Sequence, residues 1–418
     1  MGDVADARTT QTVEATYRIE SSRIIAVAAR VVRDVGIAEE LAQEALVAAL
    51  EQWPESGVPD NPGAWLVTTA KRRAIDLVRR KETYARKLAE VGRELEDVPP
   101  PDVAEPDDIE DDLLRLVFTA CHPVLPQQGR VALTLRLLGG LTTDEIARAY
   151  LSTEPTVAQR VVRAKRKLAE SGVDFELPYG EDRTARLSSV LEVIYLIFNE
   201  GYSATAGEDL VRPGLCEDAL RLARVLQGLM PNEPDVHGLA ALLEFQASRT
   251  AARSGPDGEP ILLADQDRSR WNTMLIRRGF AALQRAGHGP YAVQAAIAGC
   301  HANADRYEDT DWSTIARLYE RLASLTPSPI IELNRAVAVS MADGPDAALA
   351  IVDVLAEGPA LAGYHLLPSV RGDLLQRLGR GDEARAEFER AAALTRNDAE
   401  RRLLHLKAQS TEPTVSDL

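Results

Sequence analysis

The chain has 418 residues, too many for one ordinary core, and suggests roughly two to four folding units at about 100 to 200 residues each. Nearly half of the residues are apolar but only 5% are aromatic, with Ala, Leu, Arg and Glu prominent, which points to an all-α protein. Three scattered cysteines argue against a disulfide framework. With no signal peptide and no run of about 18 uninterrupted apolar residues, a cytoplasmic chain without a membrane span is expected.

Residues up to about Thr12 read as a frayed tail. Helical periodicity begins near Val13 and runs through Ile24, Ala28, Val31 and Val35 to a break at Gly36. A second helix, Ile37 to Trp53, turns Leu41, Ala45, Ala49 and Trp53 inward and leaves Glu39, Glu40, Gln43 and Glu44 on the surface. Asn61, Pro62 and Gly63 make a turn before a third helix, Ala64 to Lys81, in which Leu66, Ala70, Ala74 and Leu77 face the core. On that helix Arg72 and Asp76 are spaced to pair, leaving Arg73, Arg79 and Arg80 for an external anion. Trp65 has two readings: a core residue, or an aromatic surface beside the basic helix on which a displaced base could stack.

The net charge of −16 is unevenly distributed. From Glu94 to Asp112 acids alternate with prolines and small apolar residues, and no Lys or Arg occurs. The basic clusters flank this run, Lys71 to Lys87 on one side and Arg160 to Lys167 on the other. Two basic helices joined by a Pro-rich acidic tether form an organised pattern.

From Leu141 to Leu168 two short helical patterns meet at a turn. Thr142 is placed to cap the first, which carries Asp144 and Glu145 in its first turn, and Thr153 is placed to cap the second, with Pro155 in its first turn. In the second helix Val157, Val161, Ala164 and Leu168 form the buried stripe, while Gln159, Arg163 and Arg166 share another face. This is a helix-turn-helix pattern whose second helix suits a major groove, with Lys165, Arg166 and Lys167 near phosphates. Leu151 stands in the turn, where Gly is usual. Cys121-His122 and Cys300-His301 lack the partner spacing of a zinc site and read as buried helix residues. No catalytic motif, cofactor loop or metal-ligand set is visible, so no enzyme is expected.

The run DVGIAEELAQEALVAALEQW followed by NPGAWLVTTAKRRAIDLVRRK resembles region 2 of the extracytoplasmic-function sigma factors of bacterial RNA polymerase, and Leu113 to Leu168 resembles their region 4. The resemblance implies two small helical domains, 13–90 and 113–172, joined by an acidic linker, 91–112, that threads the polymerase cleft. It implies that Glu40, Leu41, Gln43 and Glu44 dock on core RNA polymerase, whose beta-prime and beta subunits would be partners. Asn61, Trp65, Lys71, Arg72, Arg73, Arg79 and Arg80 would open and read the minus-ten element of promoter DNA. Thr156, Gln159, Arg160, Arg163, Lys165 and Arg166 would bind the minus-thirty-five element.

Beyond Gly172 a hinge at Phe175 to Gly180 leads into helical sequence, 183–410, resembling the subgroup of these sigma factors with a tetratricopeptide-like extension. Units ending near Tyr319, Ile351 and Phe388 recur at about 32 and 37 residues. The clearest places Ala384 and Phe388 on one face and Gly379 to Gly381 at the turn, and Glu217 to Leu229 with Val236 to Arg249 forms an earlier pair. A repeat-like α-helical solenoid is therefore expected, with Gly255 to Pro260 a loop within it. Its surface suits a protein partner or an intramolecular contact that regulates the promoter-reading domains. The alternative is a stand-alone helix-turn-helix regulator with a C-terminal sensor or scaffold.

Overall fold

The structure, a computed structural model, describes residues 2–89, 106–150, 152–202, 212–255, 259–395 and 397–410. Among the described residues all regular structure is helical, apart from isolated bridge positions such as the Ser254–Pro260 pair. The chain divides into two compact units, Met1–Ile194 and Tyr195–Leu418.

In the first unit α1 (Gly2–Val32), α2 (Val35–Ser56) and α3 (Pro62–Ala89) pack on one another, and α4 (Pro106–Ala120) lies against α1. Ile24, Trp53 and Leu66 are fully buried among them, each contributing roughly 1.5 to 3 kcal/mol through removal from water. The expected frayed tail is helical instead, from Gly2 onward. No Pro or Gly interrupts the sequence between Asp3 and Val35, so nothing in it stops the helix early. The break falls at Arg33 and Asp34 rather than at Gly36. Arg33 adopts a left-handed φ of 53°, and the Asp34 carboxylate accepts from the N–H groups of Gly36 and Ile37 at 2.7 and 3.0 Å, capping α2.

Of the expected acidic linker, residues 91–105 lie outside the described residues. Its end, 106–112, forms the first turns of α4. Pro106 suits a helix start, and Leu113 and Leu116 anchor the helix in the core. Asp112 is fully buried there, with Arg115 at 2.7 Å and Arg30 at 3.6 Å supplying the cations that a buried carboxylate requires. Next come α5 (Gln127–Leu137), α6 (Thr143–Ala149) and α7 (Glu154–Glu170), and then α8 (Gly180–Tyr202), within which the two units divide.

The second unit contains α9 (Pro213–Leu229), α10 (Pro234–Ser248), α11 (Thr273–Leu283), α12 (Pro290–Asn303), α13 (Trp312–Leu325), α14 (Pro329–Ala342), α15 (Pro345–Glu357), α16 (Leu366–Arg377), α17 (Gly381–Leu394) and α18 (Asp398–Ser410). From α12 onward each helix packs on the next, the nearest-neighbour pattern of a solenoid. Glu244, buried on α10, receives a two-pronged contact from Arg224 of α9 at 2.8 and 3.0 Å. The turn from α16 to α17 closes as the glycines suggested. Gly379 takes a φ of 74°, and Arg380 N donates to Leu375 O at 2.9 Å. Ala384 and Phe388 are fully buried, with the Phe388 ring lying over Gly372 of α16.

Candidate nucleic-acid interface

The helix-turn-helix is built on reciprocal caps. Glu145 N donates to Thr142 Oγ1 at 3.1 Å, and Thr142 N donates to Glu145 Oε2 at 2.8 Å, so two otherwise orphaned donors are satisfied at the start of α6. Thr143 Oγ1 donates to Glu154 Oε1 at 3.0 Å and ties α6 to the start of α7. Thr153 occupies the N-cap position of α7, but its hydroxyl pairs with that of Thr156 at 2.8 Å and makes no cap bond. Val157, Val161, Ala164 and Leu168 are all buried, the stripe that the spacing required.

That stripe fixes the opposite face. Thr156, Gln159, Arg163, Arg166 and Lys167 are exposed, and Arg160 is half-buried. Beside them is a hollow of about 600 Å³ lined by Arg160, Arg163, Arg166, Lys167 and Glu170 of α7 and by Gln127 and Gln128 at the start of α5. Four cations against one acid give it a positive potential suited to phosphate. Arg166 pairs with Glu170 at 2.6 Å on the open surface, a contact that water and salt readily replace.

Lys165 is placed differently from its neighbours. Its Nζ lies 2.5 Å from Oε2 of Glu39 on α2, whose other oxygen accepts from Arg136 Nε at 2.7 Å and from Gln43 Nε2 at 3.1 Å. Glu39 is only 4% exposed, although the sequence places it among the surface acids. Burial pushes its carboxyl up, but Lys165 and Arg136 outweigh burial and hold it below the usual carboxylate range. Nearby Tyr17 is pushed up to about 12, by burial first and then by the Glu39 charge.

On α2, Glu40, Gln43 and Glu44 are exposed, whereas Leu41 turns into the core. On α3, Asn61 caps the helix by accepting from Ala64 N at 3.0 Å. Trp65 is half-buried and meets Trp53 edge to face, ring centroids 5.4 Å apart. Arg72, Arg79 and Arg80 are exposed, while Lys71 and Arg73 are half-buried. Among the described residues the expected Arg72–Asp76 pair is absent, since both side chains are open to water and gain little from each other. Arg73, expected to be available, instead reaches Glu44 at 2.6 Å. The side chains of Arg86 and Lys87 lie outside the described residues.

Cys121 and His122 make local contacts in the turn after α4. Cys121 Sγ is 3.3 Å from Thr134 Oγ1, and burial pushes its thiol up to about 12. His122 Nδ1 accepts from Val124 N at 3.1 Å. Among the described residues no helix is long and apolar enough to cross a membrane.

Three family models match the chain: sigma-70 region 2 over residues 16–84, sigma-70 region 4 over 115–168, and a family of unknown function over 186–287. An uncharacterized protein of Rhizobium meliloti is 44% identical over 388 residues, covering 89% of each chain. The ECF RNA polymerase sigma factor SigK of Mycobacterium ulcerans is 32% identical over 156 residues, 36% of this chain and 81% of that one. SigK of Mycobacterium tuberculosis is 33% identical over the same length, with the same coverage. The likeness to SigK spans most of that sigma factor, and both sigma regions match in the order expected. The chain therefore belongs to the extracytoplasmic-function RNA polymerase sigma factors.

Proposed function

We propose that this sigma factor reads the minus-ten element with α3 and the minus-thirty-five element with α7, docks on core polymerase through α2, and is regulated through its second unit. The observation that carries the reading is α7 itself: a fully buried apolar stripe leaves Gln159 and Arg163 outward on a capped helix-turn-helix. Gln159, Arg160 and Arg163, with Thr156 at the helix start, are the base-reading set. Lys165 and Arg166 contact phosphates, for which Lys165 must exchange Glu39 for DNA.

On α3, Asn61, Trp65, Lys71, Arg72, Arg73, Arg79 and Arg80 serve the minus-ten element, with Trp65 held by Trp53. Glu40, Gln43 and Glu44 form the face that meets the beta-prime subunit, and Leu41 supports them from inside. Contact with the beta subunit belongs to the same reading. The bonds are made in the polymerase, so the sigma factor supplies no catalytic group, and it acts in the cytoplasm with the polymerase.

The test is reconstitution of the full-length protein with purified core polymerase, followed by run-off transcription from a promoter library. Initiation from a defined promoter class supports the reading, and no initiation above core alone overturns it. Within that assay Arg163→Ala should cost about 1 to 3 kcal/mol of promoter affinity and relax preference at one position of the minus-thirty-five element. Unchanged preference would show that α7 is oriented otherwise.

A further inference from the structure

The second unit contains an open-sided chamber of about 510 Å³, within the roughly 300 to 1,000 Å³ common for small-molecule sites. It lies between the C-terminal turns of α8, α10, α12 and the start of α14, with Trp271 at one wall. Phe198, Phe245, Ile297 and Leu322 make the apolar walls, and the amides of Asn199, Gln246, Gln294 and Asn334 interrupt them.

Charge sets this chamber apart from the rest of the molecule. In a chain of net charge −16, no Asp or Glu is among the described residues that line it, and Arg249 is the one lining residue with a permanent charge. Arg249 is held in place: its Nε donates to Tyr202 Oη at 2.6 Å, and its guanidinium lies over the Tyr202 ring, 5.7 Å from the centroid. Its terminal amino groups have no acceptor among the described residues.

The wall near Arg249 is also short of acceptors for its own donors. Trp271 is only 5% exposed, and its indole N–H has no hydrogen-bond partner among the described residues. A buried donor left in that condition is costly. His301, also on the wall, has an unpartnered Nδ1. Burial, and after it the charges of Arg249 and Arg268, lower its pKa to about 4, so the ring is neutral and the local field positive. Arg268 lies over Trp271 at 4.6 Å, is fixed by the carbonyls of His301 and Ala304, and has Asp305, Glu308 and Asp309 in its surroundings.

We propose that this chamber binds a small organic monoanion, a carboxylate carried on an aromatic or branched apolar body. The carboxylate meets the terminal amino groups of Arg249, and the body fills the space between Phe198, Phe245, Ile297 and Leu322. One permanent cation suits one negative charge, and among the described residues no lining acid favours a cation. The inference is independent of how the sigma regions read DNA, and its readout is binding rather than transcription.

The probe is 8-anilinonaphthalene-1-sulfonate, an aromatic monoanion whose fluorescence rises in apolar sites, added to the full-length protein. N-phenyl-1-naphthylamine, the same ring system without the sulfonate, reports the apolar contribution alone. Saturable binding at one site, displaced by 2-naphthoate, is expected. Arg249→Gln should weaken the anionic probe about tenfold or more and leave the neutral probe within about twofold. Because Arg249 also holds Tyr202, a second variant guards against misfolding. Asn334→Glu puts a repelling charge at an exposed lining position, and should weaken the anionic probe alone. Equal affinity of the anionic probe for wild type and the folded variants, or unsaturable binding, would overturn the proposal.

Discussion

Glu39 ties three helices of the first unit together. Two cations from different helices, Arg136 and Lys165, converge on one carboxylate that is almost wholly out of water. Glu39→Gln keeps the shape and removes the charge, leaving both cations facing a low-dielectric site. The expected loss is about 2 to 4 kcal/mol, below the extreme for buried pairs because both partners retain some access to water. The pH dependence has a definite sign. Since the folded carboxyl lies below its ordinary 4.5, its contribution is complete above about pH 4.5 and disappears as pH falls through the folded value. Thermal unfolding from about pH 7 to about pH 3 should therefore show a wide gap between wild type and variant that narrows below about pH 4.5. A gap of constant width would mean that Glu39 acts through packing alone.

At the scale of elements, the pairing of α16 with α17 depends on the absence of a side chain. A Cβ on Gly372 would stand 2.7 Å from Cε1 and 2.9 Å from Cδ1 of Phe388, whose ring is fully buried and cannot retreat. Gly372→Ala improves helix propensity by about 1 kcal/mol or less, but overpacking costs about 1 to 3 kcal/mol. Denaturant titration should show a lower midpoint for the second unit, and an unchanged or higher midpoint would mean that the helices separate freely. The spacing of Ala384, Phe388 and Gly379 made this helix pair legible in sequence, as the 3.6-residue period made the stripe of α7 legible. Local periodicity reports which face of a helix is buried. It does not report what covers that face, so Glu39 read as a surface acid: its partner Arg136 stands 97 residues away. The break before α2 follows the same rule: Gly36 is the more obvious stop signal in the sequence, while the Asp34 cap decides the geometry. Asp112 was read with the acidic run by composition, whereas its own position on α4 points it at Arg30 and Arg115. The exposed cations of α3 and α7 were legible as a charge pattern, but the engagement of Arg73 by Glu44 depends on how α2 and α3 pack.

For the molecule as a whole, the division between units falls beyond the Phe175 to Gly180 hinge, inside α8. The first turns of α8 belong to the first unit: Ser189 Oγ donates to Cys121 O at 2.6 Å, and Arg130 donates to Glu192 at 3.0 Å and to Ser189. A chain ending at Leu177 loses these partners and leaves a buried carbonyl unsatisfied, so it should melt below one ending at Ile194 by about 1 to 3 kcal/mol. The longer fragment is thus the proper comparison for regulation by the second unit. Run-off transcription per bound holoenzyme should differ between it and the full chain, and a coupling of only about 1.4 kcal/mol would change output tenfold. Equal output would exclude direct control of initiation. The contacts of Glu44 with Arg73 and of Glu39 with Lys165 carry a further consequence. Basic proteins ordinarily hold small anions over their cations and DNA holds small cations over its phosphates, and release of these ions drives promiscuous association. Here α2 supplies such counter-ions from within the chain, the open Glu44 loosely and the buried Glu39 firmly. If α3 and α7 bind DNA as proposed, stray duplex gains little from Lys165 while the Glu39 carboxylate takes the place of a phosphate oxygen, and a partner that draws α2 toward itself would return that cation to DNA.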